Sequence, residues 1–393
     1  MALVDLWNSS KTELANKHLK QIIAIAGDGK LLDGNDASKE LRALFRLVPS
    51  EKLSSYGHEC LDNSFDSSGL ALQDIINEVG RRLGYLVEDG LYRGKKGVSG
   101  HDGLWTLKNG RKILIEVKTT DAYAIDLNVI LEYRKKLIKE NQLVQDDSSI
   151  LMVVGRKNTG ALEAQIRGSR YAWDIRIISV DALLRLMRLK ETLDDPNTLS
   201  KISEILVPKE YTRVDEIIDL VFTAAEEIAK PDEEDLDDDA GQMNGDLGYK
   251  EKPKFTPVSF HDKCALRIES AFSVSLIRET RSLYKDPQGG TRFQIAISKS
   301  HKNASYWFAF HPYQKKLLEE APEAYVALGC GSENKIFLIP LQVIAEHLDK
   351  TWTTELEDRM YWHVRIKESN DECYWMLRKG VQNLPLTQFL MQP

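Results

Sequence analysis

Between Lys230 and Lys254 the chain reads "KPDEEDLDDDAGQMNGDLGYKEKPK", nine acids and four bases with few apolar side chains. Such a stretch buries too little surface to offset the entropy of ordering it, so a flexible tether is expected. It leaves 229 residues before it and 139 after it, each enough to build a core of its own. The fold is therefore sought in two pieces. The expected divisions are a helical N-terminal region at 1–68, an α/β domain at 69–229 ending in helices, the acidic linker at 230–254, and an α+β domain at 255–393.

The same segment explains the charge balance. Nine acids against four bases supply −5 of the formal net charge of −7, so the remainder is near neutral and a local basic groove is not excluded. No apolar run approaches the ~18 residues that would suggest a bilayer span, and no membrane partner is expected. The start, "MALVDLWNSSKTELANKHLK", carries an early acid and no long apolar run, which speaks against a secretory signal. Cys60, Cys264, Cys330 and Cys373 are scattered without a CxxC pair. That spacing argues against a zinc ribbon and for free thiols in a reducing compartment, so the cytoplasm is the expected location.

Apolar positions three and four apart make "KTELANKHLKQIIAIAG" and "NDASKELRALFRLV" helices, the second capped by Asn35 or Asp36. "GDGKLLDGND" between them lacks the alternate acids and closing glutamate of a calcium loop and reads as a turn with a helix cap. "GLALQDIINEVGRRLGYLV" is an amphipathic helix with Leu72, Ile75, Ile76, Val79 and Leu83 on one face. A strand ("GYLVEDG") and a hairpin follow. Then come the helix "LNVILEYRKKLIKEN", the strand "SILMVVG", the helix "ALEAQIRGSRYA", the strand "DIRIISV" and the helix "DALLRLMRLKE". Residues 194–228 return to helix. Apolar strands alternating with helices give an α/β fold, and the hairpin makes its sheet mixed. After the tether, "TRFQIAISKSHKNASYWFAF", "AYVALGCGSENKIFLIP" and "RMYWHVRIKESNDECYWML" each read as two strands around a polar turn. Helices between them make that part α+β.

The stretch with most chemistry is "SGHDGLWTLKNGRKILIEVKTT", residues 99–120. Asn109-Gly110 is a strong hairpin signal. In "KILIEVK" the strand period of two sends Ile113, Ile115 and Val117 to one face and Leu114, Glu116 and Lys118 to the other. The returning strand brings Asp102 beside Glu116. Two carboxylates with a lysine adjacent suit a hard cation such as Mg²⁺, which takes one or two carboxylates, waters and phosphate oxygens. Alternate charges on a solvated strand face would need no such role. An acid two residues before a lysine occurs at Asp28–Lys30, Glu116–Lys118 and Glu333–Lys335. Only Glu116 lies inside an apolar strand and has an aspartate a hairpin's length upstream.

Helix, strand, "HDG…EVK", helix and strand over about residues 69–190 resemble the PD-(D/E)xK phosphodiesterase superfamily, most closely Mrr-like and other restriction-type nucleases of prokaryotic defence loci. The resemblance implies a restriction-endonuclease-like mixed sheet flanked by helices and Mg²⁺-dependent hydrolysis of DNA phosphodiesters, with Mn²⁺ able to substitute. It implies Asp102 and Glu116, with Val117, as metal ligands and Lys118 as the catalytic lysine. His101 stands where the name-giving proline would be. The superfamily often adds an acid from the first helix, for which Glu78 is the best candidate, with Asp74 and Gln73 behind it. Asp74, Glu78 and Arg82 also have the spacing of helix-surface ion pairs.

Other basic and polar positions suit a nucleic-acid partner. Arg93, Lys95 and Lys96 lie on the glycine-rich loop "YRGKKGVSG" before Asp102, where side chains and backbone N–H groups can approach phosphates, unless the loop is simply solvated. Gln165 in "EAQIRGSR" falls on a helix expected beside the EVK strand and is a candidate for the metal site or the DNA backbone, and Arg167 and Arg170 are candidates for the DNA backbone. Tyr133, Arg134, Lys135 and Lys136 read as a solvated helix face. The domain after the tether holds four of the seven tryptophans (Trp307, Trp352, Trp362, Trp375), read mainly as core and alternatively as a base-stacking pocket or interface. Besides DNA, a separate defence-system subunit and a homodimer are the partners considered. The expected function is a DNA endonuclease of restriction or anti-phage defence. The alternatives are a catalytically silent DNA-binding or scaffold subunit and a repair or recombination nuclease.

Overall fold

The computed structural model describes residues 2–62, 65–93, 100–119, 127–155, 160–208, 257–301, 305–355, 360–369 and 374–392. Lys95, Lys96, Cys373, the linker at 230–254 and the later part of the 194–228 helix expectation lie outside them. The chain divides into two compact units, Met1–Ala224 and Ala225–Pro393. Both mix helix and sheet. No helix among the described residues is long and apolar enough to cross a membrane.

The first unit begins with α1 (Ala2–Ser9), α2 (Lys11–Ala15), α3 (Leu19–Ile25), α4 (Asp36–Leu47), α5 (Ser50–Asp62) and α6 (Ser68–Leu83). Asn35 caps α4, its side-chain oxygen accepting the Ser38 N–H at 3.1 Å. The single helix expected at 11–27 is two. Glu59 on α5 accepts the Leu19 N–H at 2.7 Å, and Gln21 accepts that of His18 at 2.9 Å, so a new helix starts at Leu19. There follow β1 (Leu86–Asp89), β2 (Gly103–Thr106), β3 (Lys112–Lys118), α7 (Leu127–Lys139), β4 (Ser148–Val154), α8 (Gly160–Arg167), β5 (Ile175–Ser179), α9 (Val180–Lys190) and α10 (Pro196–Glu204).

The strands lie in the order β1-β2-β3-β4-β5, antiparallel through β3 and parallel from β3 to β5. Gly110, with φ +88°, supplies the left-handed residue of the β2–β3 turn. The sheet is covered on both faces, as parallel pairs require. On one side Trp105, Ile113, Ile115, Leu151 and Val153 share a continuous core with α1, α3–α6 and α9, so helices from 1–62 belong to the same core as the sheet. On the other side Leu104, Leu114, Ile150, Met152 and Val154 pack with apolar residues of α7 and α8. Between α6 and β2 the approach is very close. A Cβ on Gly80 would lie 2.5 Å from the Trp105 ring, and one on Gly103 would lie 2.1 Å from Asn77 Oδ1.

Arg134 departs from the expected solvated face. It is buried, donates to Ser148 Oγ at 3.1 Å, Ser148 O at 2.7 Å and Gln145 O at 2.6 Å, and pairs with Asp174 at 2.9 Å. Its five donors satisfy carbonyls that the β4 entry leaves exposed inside the fold.

The second unit runs α11 (Pro257–Phe272), β6 (Ile277–Arg278), β7 (Leu283–Lys285), β8 (Thr291–Ser298), β9 (Ser305–Phe310), α12 (Pro312–Glu319), β10 (Glu323–Cys330), β11 (Ile336–Pro340), α13 (Leu341–Ala345), β12 (Trp352–Glu355), β13 (Met360–Glu368), β14 (Tyr374–Met376) and β15 (Leu384–Pro385). One sheet is mixed, β11-β10-β8-β7-β6, with β8 and β10 parallel. The other is antiparallel, with β9 on one side of β13 and β12 and β14 on the other. β10–β11 and β13–β14 pair antiparallel as expected. β8 and β9 do not pair with each other. Both edges of β8 are taken by β7 and β10, so β9 pairs with β13 in the second sheet. Cys60, Cys264 and Cys330 are buried and form no disulfide among the described residues.

Candidate metal and phosphodiester site

Asp102 stands at the entry to β2. The register pairs Gly103 with Ile115, so the next step places Asp102 across from Glu116. Its N–H donates to Ile115 O at 3.1 Å, and its Oδ2 accepts the Val117 N–H at 2.7 Å. Its carbonyl accepts from the Gly90 N–H at 3.0 Å, from Gln73 Nε2 at 3.0 Å and from Asn77 Nδ2 at 2.9 Å. Asn77 is itself fixed, because its Oδ1 accepts the Trp105 indole N–H at 3.0 Å. Glycine is required at position 90, where a Cβ would sit 2.1 Å from His101 O. Position 102 is thus clamped from the main chain while its carboxylate stays beside β3.

Glu116 lies on the same sheet face as Leu114 and is only 7% exposed. Its Oε1 accepts from Lys118 Nζ at 2.5 Å. Its Oε2 is buried and has no hydrogen-bond partner among the described residues. Burial and the neighbouring Glu116 carboxylate push Asp102 up to about 7, against the Val117 N–H and Lys118, which favour its ionised form. At Lys118, burial works to lower the ammonium, and Glu116 with Asp102 outweighs it, so the group is raised and stays charged. His101 is pushed down by burial and kept neutral. Tyr133 on α7 reaches the same corner: its OH lies 3.0 Å from where a Cβ of Gly100 would be, and its phenol acts electrostatically on Lys118.

Two crowded carboxylates, one with an orphaned oxygen, form a site short of positive charge. A hard divalent cation fits that donor set, held by Asp102 and Glu116 with the Val117 main chain between them. Among the described residues there is no ready cage of three or more His, Cys, Asp or Glu side chains. Mg²⁺ needs none, since it keeps several waters and binds through one or two carboxylates.

Glu78, expected as a further ligand, is paired with arginines of its own helix, and its Oε2 is buried without a hydrogen-bond partner among the described residues. Glu78 pairs with Arg82 at 3.2 Å and Arg81 at 3.7 Å, and Arg82 in turn donates to the carbonyls of Phe45 and Val48 at 2.7 Å. Asp74, on the same side of α6, pairs with Arg42 at 2.8 Å. The α6 residues that meet Asp102 are Gln73 and Asn77, one turn apart, with Gly80 continuing that face over Trp105. Their signal in the sequence was the small residue at 80 at helical spacing from two amides, which marks the face that approaches the sheet.

Arg93 is exposed, its N–H and that of Tyr92 donating to the Asp33 carboxylate at 3.3 and 2.7 Å. Gln165, Arg167 and Arg170 are exposed. The turn after α8 is tied to the start of β4 by the Ile150 N–H donating to Asp174 O at 2.8 Å. Ile150 pairs with Leu114, four residues before Lys118 or about 13 Å along the strand. Arg170, in that turn, therefore belongs to the end of the strands away from Lys118.

The carboxylate crowding predicts a stability signature. Asp102 is raised in the folded state, so its contribution is fully present below its ordinary value near 4 and is lost as pH rises through about 7. Asp102→Asn keeps an acceptor for the Val117 N–H and removes the charge. It is expected to stabilise the metal-free protein at pH 8 by roughly 2 kcal/mol and to give almost no gain at pH 4. Thermal unfolding of both proteins in EDTA across that range checks it, and a gain that does not change with pH would contradict it.

No family model matches the chain, and no curated protein is significantly similar to it, so the reading of this site rests on its geometry and on the motif it carries.

Proposed function

We propose that the first unit is a Mg²⁺-dependent phosphodiesterase of restriction-endonuclease-like fold that cleaves DNA. The observation that carries this is the placement of Asp102 across from Glu116, with the Lys118 ammonium 2.5 Å from the Glu116 carboxylate. Asp102, Glu116 and Val117 would hold the ion, which supplies Lewis-acid polarisation of a phosphoryl oxygen and an acidified water. Lys118, held as the ammonium, orients that water and stabilises the charge developing on the phosphate. The clamp of Gln73, Asn77 and Gly90 on the Asp102 carbonyl holds the ligand in place before any substrate arrives, so little reorganisation is needed. A restriction or anti-phage role in the cytoplasm, alone or with a separate subunit, is the biological assignment this chemistry suits best.

The test is incubation of the full chain with supercoiled plasmid, linear duplex, single-stranded DNA and RNA, each with Mg²⁺, Mn²⁺ or EDTA. Nicked or linear DNA products with either ion, and none with EDTA, are expected. Absence of cleavage on every substrate with both ions would overturn the proposal.

A further inference from the structure

In the antiparallel sheet of the second unit the strand period sorts side chains into two sets. Tyr306, Phe308 and Phe310 of β9, Val364 and Ile366 of β13, and Tyr374 and Met376 of β14 point into the core. The alternate positions point outward, and the pairings Arg365↔Trp307, Trp352↔His363, Thr354↔Tyr361 and Lys367↔Trp375 place them on one face. None of these outward aromatic residues belongs to either apolar core of the unit. No outward position on the described strands is an acid: Glu355 and Glu368 fall on the other face, paired with Met360 and Tyr374. Three tryptophans, a tyrosine and two cations thus share a half-exposed surface.

The surface is rigid. The Trp307 indole N–H donates to His363 Nδ1 at 2.8 Å, and His363 Nε2 meets Thr354 Oγ1 at 2.7 Å, which locks the imidazole. The Tyr361 ring is tilted by 39° against His363 with centroids 5.2 Å apart, and meets the Trp307 ring edge-on at 6.2 Å. The Arg365 guanidinium lies over the Trp352 ring, 5.1 Å from its centroid.

We propose that this face binds a single-stranded nucleic acid, with unpaired bases stacking on Trp375 and Tyr361 and phosphates meeting Arg365 and Lys367. Fixed aromatic rings interleaved with cations on an open antiparallel sheet are the chemistry that holds unpaired bases. Charge complementarity favours an anionic ligand, since among the described residues the strands present two cations and no acid on this face. The choice of a nucleic acid over an anionic peptide rests on the phosphodiesterase reading of the first unit. The near balance of 17 basic and 16 acidic residues over 255–393 fits a local stacking surface better than a broad phosphate-binding one.

The test measures binding of a fluorescein-labelled dT15 oligonucleotide to the full chain in EDTA, with an abasic 15-mer and a 15-bp duplex as comparators. The expected order is dT15 tightest, the abasic strand much weaker. Trp375→Ala should weaken dT15 binding about 10-fold, and Trp375→Phe, which keeps a ring, should restore most of it. Lys367→Ala should flatten the salt dependence by about 0.7 in the log–log slope, the value of one phosphate contact on a single strand. Equal binding of abasic and dT15 strands, or wild-type affinity in both Trp375→Ala and Tyr361→Ala, would overturn the proposal. Plasmid cleavage with Mg²⁺ reports separately on the first unit. A protein that cleaves plasmid but ignores the bases of dT15 loses only the stacking face, and one that binds dT15 but cleaves nothing loses only the phosphodiesterase reading.

Discussion

Glu116→Ala is expected to abolish the proposed Mg²⁺-dependent cleavage, by roughly 10³-fold or more, while the protein stays folded; this is the largest effect the site predicts. A loss of that size corresponds to about 4 kcal/mol of transition-state stabilisation. Two properties of Glu116 combine here. Its Oε2 has no partner among the described residues, so it is available to a cation, and its Oε1 fixes Lys118. Removing it takes away a ligand and leaves the lysine unanchored. Folding should not suffer, because truncation also removes a buried charge that opposes ionisation of Asp102. Lys118→Ala is expected to lose activity to a similar extent but to keep metal binding, since both carboxylates remain. Metal titration by calorimetry separates the two variants. Full cleavage by a clean Glu116→Ala preparation would remove this site from consideration.

The second large effect is on stability and comes from Trp105. Its ring is fully buried between β2 and α6, beneath Gly80, and beside Tyr85 at 5.2 Å. Trp105→Ala is expected to cost about 3–5 kcal/mol for the cavity. It also leaves Asn77 Oδ1 without its donor, a further ~1 kcal/mol or more. Because Asn77 holds the Asp102 carbonyl, cleavage should fall beyond what the lost stability explains. Trp105→Phe fills most of the space but donates nothing, so it should recover more of the stability than of the activity. Urea unfolding and plasmid cleavage on both variants check this, and a cost below about 1 kcal/mol for Trp105→Ala would show that the α6–β2 contact is not the core contact described.

What could be read in advance follows from short-range rules. A period of two placed Glu116 and Lys118 on one face of β3, and an Asn-Gly turn set the hairpin that returns Asp102 to them. A cap at Asn35 or Asp36 and the order of helices and strands from 68 to 190 were legible for the same reason, because each depends on neighbours within a few positions. The hairpins β10–β11 and β13–β14 belong to this class.

What could not be read depends on rotation and on competition between distant partners. Glu78 and Gln73 lie on one helix, and only the packing of Gly80 onto Trp105 decides which of them faces Asp102. Arg134 reads as surface until the β4 entry and Asp174 surround it with acceptors. The break between α2 and α3 needs Glu59 from a helix 40 residues away. β8 and β9 look like a hairpin because the turn between them is polar, yet β8 has two other partners and β9 finds β13. The sequence by itself determined local conformation, face alternation and the motif, because backbone sterics and side-chain period act over a few residues. The tertiary structure alone decided which helix face meets the sheet and which strands pair, because those choices are settled by burial and hydrogen-bond satisfaction across the whole core.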